Sequence, residues 1–191
     1  MSLSFSAFTP KQCLITGSLE EAAIAAFHHL KSQSAESVLI FNDETYAIMD
    51  IDLSGDAELV KRKAASYPTA SPNTLTKKGP GRPKLGVVGK EVTLLPRHWE
   101  WLASQKGGPS VTLRKLIDAA RRDPQINEQN NREQAQNLTY KFCYAIAGDL
   151  PGYEEALRCL YAKDEAGFSG QLREWPVDIA GRAKFLAQAA W

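Results

Sequence analysis

The sequence predicts an α+β protein built as a small N-terminal α/β unit, a basic linker, a strand-helix-helix module and a C-terminal helical unit. Three observations predict it. Short apolar runs bounded by turn residues open the chain. Apolar residues at spacings of three and four fill its last third. Between them lies a stretch rich in Pro, Ser, Thr, Gly and Lys that has few large apolar side chains. The segments are 1–63, 64–86, 87–122, a polar connector 123–136, and 137–191. With 43% hydrophobic residues in 191, there is material for a real core.

Leu3 to Phe8 alternates weakly, as a half-buried strand does, and Thr9-Pro10-Lys11 is turn chemistry before a second short strand at Cys13-Leu14-Ile15. Ser18 and Glu21 form a capping box, in which the Ser18 hydroxyl accepts from the third helical N–H and Glu21 reaches back. The helix so started runs to about Lys31, with Ala22, Ala23, Ala26, Phe27 and Leu30 facing a core. Val38 to Phe41 is a buried-strand run, and after the turn Asn42-Asp43-Glu44 the segment Tyr46 to Leu53 is expected to return as its hairpin partner.

Residues 64–86 cannot bury enough surface to offset their ordering entropy and are expected to be a flexible linker. In the next segment, Glu91 to Leu95 is a short strand candidate and Pro96 opens a short helix carrying Trp99, Leu102 and Ala103. Trp99 is expected in the core and Trp101 to be the more exposed of the two. Gly107-Gly108-Pro109 ends that helix. Ser110 is the expected N-cap of a second, with Leu113, Leu116, Ile117 and Ala120 inward and Arg114, Lys115, Arg121 and Arg122 outward. The connector after Asp123-Pro124 is expected to start loose, with helix beginning from about Glu128. Four helical stripes then follow, anchored by Leu138 and Phe142, by Tyr153 and Leu160, by Phe168 and Trp175, and by Ile179 and Leu186. Gly148 to Gly152 breaks the first from the second.

Charge is segregated. Residues 1–57 hold eight acids against two bases, 58–122 four acids against fourteen bases, and 123–191 ten acids against seven bases. The formal net charge of +1 hides a central stretch at +10. No apolar run approaches the roughly 18 residues of a membrane span, and no secretory signal is visible. Cys13, Cys143 and Cys159 are odd in number and widely spaced, which points to reduced thiols in a cytoplasmic protein. No Walker, GxGxxG, GxSxG or HExxH motif occurs. The expectation is therefore a protein that is not an enzyme, with no catalytic residue, metal or cofactor.

The basic stretch contains two elements. Lys77-Lys78-Gly79-Pro80-Gly81-Arg82-Pro83-Lys84 resembles the core of an AT-hook, whose Arg lies along a narrow A·T minor groove of focused negative potential. Pro80-Gly81 stands where that pattern has a further Arg, and a solubilising basic linker is the other reading. Lys90 to Arg122 resembles the ribbon-helix-helix module of small bacterial repressors, which implies a dimer whose paired strands enter the major groove. With Val92 and Leu94 inward, Glu91 and Thr93 would face the groove, and Ser110 would offer a helix N-terminus to phosphate. Leu94-Leu95 breaks the alternation, and a helical hairpin packed on its own chain is the alternative.

Over nearly its full length the chain resembles the DUF2239 family of uncharacterised bacterial proteins. The residues are Asp50 to Gly55, Gly81 to Val88, Glu91 to Leu102 with Gly107-Gly108, and Ala147 to Ala156. That resemblance implies bacterial origin and no settled activity. Elsewhere, Asp50 and Asp52 share a strand face but are expected to be solvated acids, and His28 and His29 point about 100° apart on a helix. His98 lacks a flanking nucleophile or acid.

The function expected is a DNA-binding, regulatory protein acting as a homodimer. Its contacts would come from Lys77, Lys78, Arg82, Lys84, Thr93, Arg97, Ser110, Arg114 and Lys115. The alternative is an adaptor that holds a protein partner through the C-terminal helices without nucleic acid. No membrane association is expected.

Overall fold

The computed structural model describes residues 3–32, 36–68 and 90–191. It divides into two units, one made of Met1–Pro68 with Gln129–Trp191 and the other of Thr69–Glu128. The linker expected at 64–86 lies outside the described residues except for its first five positions.

In the first unit, β1 (Phe5–Phe8) is the central strand of an antiparallel sheet, flanked by β2 (Cys13–Gly17) and β3 (Leu39–Asn42). The β1–β2 turn is built by Thr9, whose hydroxyl accepts from the amides of Lys11 (3.2 Å) and Gln12 (3.1 Å). All four residues of β1 are buried, so both faces of the sheet are covered. The period of two sends alternate side chains to two different cores. Phe5 and Ala7, with Ile40 of β3, pack against helix α1 (Leu19–Ser32) and helix α2 (Ala57–Ala65). Phe8 and Phe41 face the other way, into a core supplied by the C-terminal helices. The fold is α+β, a thin sheet between two helical layers.

Helix α1 starts from the expected capping box: the Ser18 amide donates to Glu21 Oε2 (2.8 Å) and the Glu21 amide to Ser18 Oγ (3.2 Å). These bonds hold the Glu21 carboxyl below its ordinary range. Helix α2 is absent from the sequence reading. Its signal is Asp56, whose carboxylate accepts from the Leu59 amide at 2.8 Å, followed by Val60 and Ala64 four apart, both buried against α1.

The expected return strand at 46–53 is corrected to irregular backbone with a single bridge, Phe41 to Ile48. Tyr46 closes the turn with a left-handed φ of 51° and turns its ring into the core beside Phe41 and Phe142. The segment bonds to β3 only briefly, the Asn42 amide donating to the Ala47 carbonyl (3.0 Å) and the Met49 amide to the Ile40 carbonyl (2.8 Å), while the other edge of β3 pairs with β1.

The second core is aromatic. The rings of Phe8, Phe41, Tyr46 and Phe142 lie 5.3 to 6.1 Å apart, mostly edge to face. Phe142 belongs to α5 (Pro124–Ile146), followed by α6 (Tyr153–Ala162), α7 (Glu165–Gln171) with a 3-10 turn over Leu172–Glu174, and α8 (Val177–Leu186). The segments read separately as 1–63 and 137–191 thus contribute to one core. The loop after α5 is held by the Trp175 indole, which donates to the Pro151 carbonyl at 2.7 Å.

A partly buried polar cluster joins sheet and helices. Arg182 of α8 donates from Nη1 to the Tyr46 hydroxyl (2.9 Å), and from Nη2 to Ser6 Oγ (3.1 Å) and Thr16 Oγ1 (3.3 Å). Its Nη1 lies 3.5 Å from Asp43 Oδ1, and its guanidinium 5.3 Å from the Phe8 ring centre. Asp43 in turn accepts from Ser4 and Ser6, each at 2.7 Å.

Truncating Phe142, which is fully buried, to Ala is expected to cost about 3 to 5 kcal/mol of unfolding free energy, read by urea denaturation. Burial pushes the Cys143 thiol up from 9.0 to about 12. The folded state then holds this proton more tightly than the unfolded chain, so stability present below pH 9 is lost as pH rises towards 12. A thiol reagent at neutral pH is expected to label half-exposed Cys13 in the native protein and to reach Cys143 and Cys159 only in denaturant, as mass spectrometry would show.

Candidate nucleic-acid interface

Of the nine residues proposed for phosphate or base contact, Lys77, Lys78, Arg82 and Lys84 lie outside the described residues. Thr93, Arg97, Ser110, Arg114 and Lys115 are described and all are exposed. They belong to an extended lead-in at 90–95, helix α3 (Pro96–Ser104) and helix α4 (Gly108–Arg122).

Pro96 takes the first position of α3, where its missing N–H and fixed φ cost nothing. The turn after α3 needs Gly107 at φ 102° and Gly108 at φ 73°, backbone that an L side chain rarely adopts. A Cβ on Gly107 would also come within 3.1 Å of Val111 Cγ1. Gly107 is therefore the N-cap of α4, which corrects the expectation for Ser110. Ser110 stands in the first turn instead, because the two glycines close the turn before it. No side chain caps the helix and no acid lies in its first turn. Such a terminus leaves amide donors and the positive end of the helix dipole to solvent.

Along α4, Arg114 and Lys115 recur one stripe further on as Arg121 and Arg122, seven residues being nearly two turns. Arg114 Nε donates to the Ser110 carbonyl at 3.1 Å, which fixes its stem along the first turn. None of Lys90, Arg97, Lys106, Arg114, Lys115, Arg121 and Arg122 makes an ion pair with a described residue. The other unit differs: there Lys63, Arg158 and Arg182 each have a carboxylate partner.

The apolar face of this hairpin departs from expectation. Only Leu102 and Thr112 are buried. Val92, expected inward, is 55% exposed, and Leu116 and Ile117 are 48% and 55% exposed. Trp99 is 40% exposed, against 52% for Trp101; the expected order holds, but Trp99 is no core residue. The strand expected at 91–95 has no ladder partner among the described residues. Two short helices crossing once do not supply enough facing surface to cover these side chains.

The connector expected to begin loose is helical from Pro124 onward as part of α5. Asp123 explains it, since its carboxylate accepts from the Gln125 amide at 2.9 Å and its carbonyl from the Asn127 amide at 3.0 Å. Asp123-Pro124 is a helix start, read as a loop signal.

Residues 4–187 match the model of a family described as an uncharacterised protein conserved in bacteria, DUF2239. The chain belongs to the DUF2239 family. No curated protein and no solved structure matches it.

In this DUF2239 chain two of the other polar residues weighed from sequence, Asp52 and His29, have structural partners. Asp52 accepts from Lys63 Nζ (2.7 Å) and the Ser54 amide (2.9 Å), and the Lys63 ammonium foremost holds its carboxyl well below the usual carboxylate range. His29 Nε2 lies 3.2 Å from Glu36, which also meets Lys11. No three His, Cys, Asp or Glu side chains gather as a metal site among the described residues, and no helix there is long and apolar enough to cross a membrane. Sequence reading missed Arg182 and Asp43. They lie 139 positions apart in the chain, and only the folded sheet brings them together.

Gly107→Ala is expected to destabilise the α3–α4 turn by about 1 kcal/mol or more. Hydrogen exchange in the first turns of α4 is expected to accelerate, while exchange in β1 stays unchanged.

Proposed function

We propose that this protein binds duplex DNA as a homodimer and acts as a regulator of the DNA it occupies. The observation that carries the reading is the set of exposed bases on 90–122 that lack ion-pair partners among the described residues. An unpaired surface cation keeps its full attraction for phosphate, whereas one already holding a carboxylate must first give it up. Lys77, Lys78, Arg82 and Lys84 add four bases with no acid among residues 69–89. In this reading Arg97, Arg114 and Lys115 hold phosphates, the uncapped start of α4 at Ser110 receives another, and Thr93 meets a base edge. The dimer follows from the ribbon-helix-helix resemblance. A second copy would supply the strand that 91–95 lacks and cover Val92, Leu116 and Ile117.

The exposed apolar side chains favour a second reading. Besides those of the hairpin, Tyr140, Tyr144 and Tyr161 on α5 and α6 are exposed, and the rings of Tyr140 and Tyr144 stack at 5.7 Å. An adaptor gripping a protein through these helices would use such a surface. A partner recovered equally with and without nuclease would favour it.

Fluorescence anisotropy with duplex DNA decides the first reading. Binding is expected to weaken by roughly a thousandfold between about 50 and about 200 mM salt, because each neutralised phosphate releases counterions. Replacing Arg114 and Lys115 together by Ala is expected to reduce the salt slope by about two and to weaken binding to all sequences alike. Absence of binding at the lower salt would refute the reading.

A further inference from the structure

Helix α8 carries a face that is partly open to solvent. Val177, Asp178, Gly181, Arg182 and Phe185 recur at spacings of three and four, and together they form one wall of a cleft of about 570 Å³. Phe8 and Cys13 of the sheet line the other side. Val177 is 85% exposed and Phe185 61%, so two apolar side chains flank the opening in water.

Gly181 is the informative residue. It sits mid-helix, where glycine costs about 1 kcal/mol relative to alanine. Nothing among the described residues requires it: its φ is not positive, and a Cβ there would meet no atom within 4 Å. A missing side chain between two exposed apolar ones leaves room for something from outside to approach the helix backbone.

The polar groups of the cleft have complementary charges. Arg182 is held rigidly by Tyr46, Ser6, Thr16 and Asp43 through its two terminal nitrogens, while its Nε–H has no acceptor among the described residues. Asp178, four positions earlier on the same face, accepts from the Cys13 amide with Oδ2 (2.9 Å). No described group donates to its Oδ1. One donor on a cation and one acceptor on an anion, four positions apart on one helix face, present both signs of charge to a ligand that carries both.

We propose that this cleft binds a small apolar α-amino acid. The ligand carboxylate accepts from Arg182 Nε, its ammonium donates to Asp178 Oδ1, and its side chain packs over Gly181 against Val177 and Phe185. The inference is independent of DNA binding. Asp178 argues against a simple anion, which it would repel.

Isothermal titration calorimetry of the full chain with L-phenylalanine tests it. Saturable binding is expected. 3-Phenylpropionate, which lacks the ammonium, and 2-phenylethylamine, which lacks the carboxylate, are each expected to bind at least tenfold more weakly, as the loss of one charged hydrogen bond implies. Gly181→Leu is expected to abolish binding by filling the cleft while leaving the thermal midpoint unchanged or raised, since the site is open and leucine favours helix. Asp178→Asn is expected to weaken L-phenylalanine but not 3-phenylpropionate. Absence of heat up to about 10 mM ligand, unchanged affinity in Gly181→Leu, or equal affinity for 3-phenylpropionate would each overturn the proposal.

Discussion

The first unit depends on how one short strand is satisfied on both faces. β1 is buried throughout, and its alternation places Phe5 and Ala7 in one core but Ser6 and Phe8 in the other. Ser6 is a hydroxyl with no exposure, and a buried hydroxyl without partners costs about 1 to 3 kcal/mol. Its partners are Thr16, Asp43 and Arg182. Arg182 is half-buried, with Asp43, Tyr46 and Thr16 taking up its terminal donors and the Phe8 ring covering its face. Taking one member away would leave a charge or a hydroxyl stranded, which is more costly than the pair is favourable. This cluster explains why residues 1–68 and 129–191 form one body. Lys141 Nζ, donating to the Thr45 carbonyl at 3.2 Å, ties the same two stretches together at the surface.

The second unit has the opposite problem. Its described part has only Leu102 and Thr112 buried, while Leu95, Trp99, Trp101 and Ile117 each keep 40% or more of their surface exposed. A core this thin does not offset the entropy of ordering two helices. Tight local geometry helps, through Pro96, the two left-handed glycines and the Asp123 cap, but these contributions are of order 1 kcal/mol each. A hairpin so constituted gains from any partner that covers its apolar side, and its unpaired bases select what approaches the polar side.

Local chemistry was legible in the sequence and long-range chemistry was not. The Ser18–Glu21 box, the Thr9 turn, the helix breaks at Gly107 and at Gly148 to Gly152, and the C-terminal stripes could all be read because their causes lie within four residues. The return strand at 46–53 was misread because its apolar content was taken for a ladder, when Tyr46 was leaving the sheet to reach Phe142 and Arg182. Helix α2 was missed because its three consecutive bases, Lys61 to Lys63, masked the Val60–Ala64 pair. Of the proposed interface, the exposure of Arg97, Ser110, Arg114 and Lys115 was legible from helix phase. That Leu116 and Ile117 would also stay exposed was not, because a periodic stripe says which face is apolar and not what covers it.

The same distinction bears on α8. Its stripe of Ile179, Ala183 and Leu186 is explained by the core it enters. Its opposite face carries Val177 and Phe185, which enter no core, around a glycine that no turn or contact demands. Single exposed apolar residues are ordinary on a protein surface. Two of them bracketing an unforced mid-helix glycine, with a half-satisfied aspartate beside it, are several local costs at one place. Each is small, but local choices that oppose the fold tend to gather where a protein meets something else. In the cleft over Gly181, helix propensity, apolar exposure and hydrogen-bond satisfaction run against stability together.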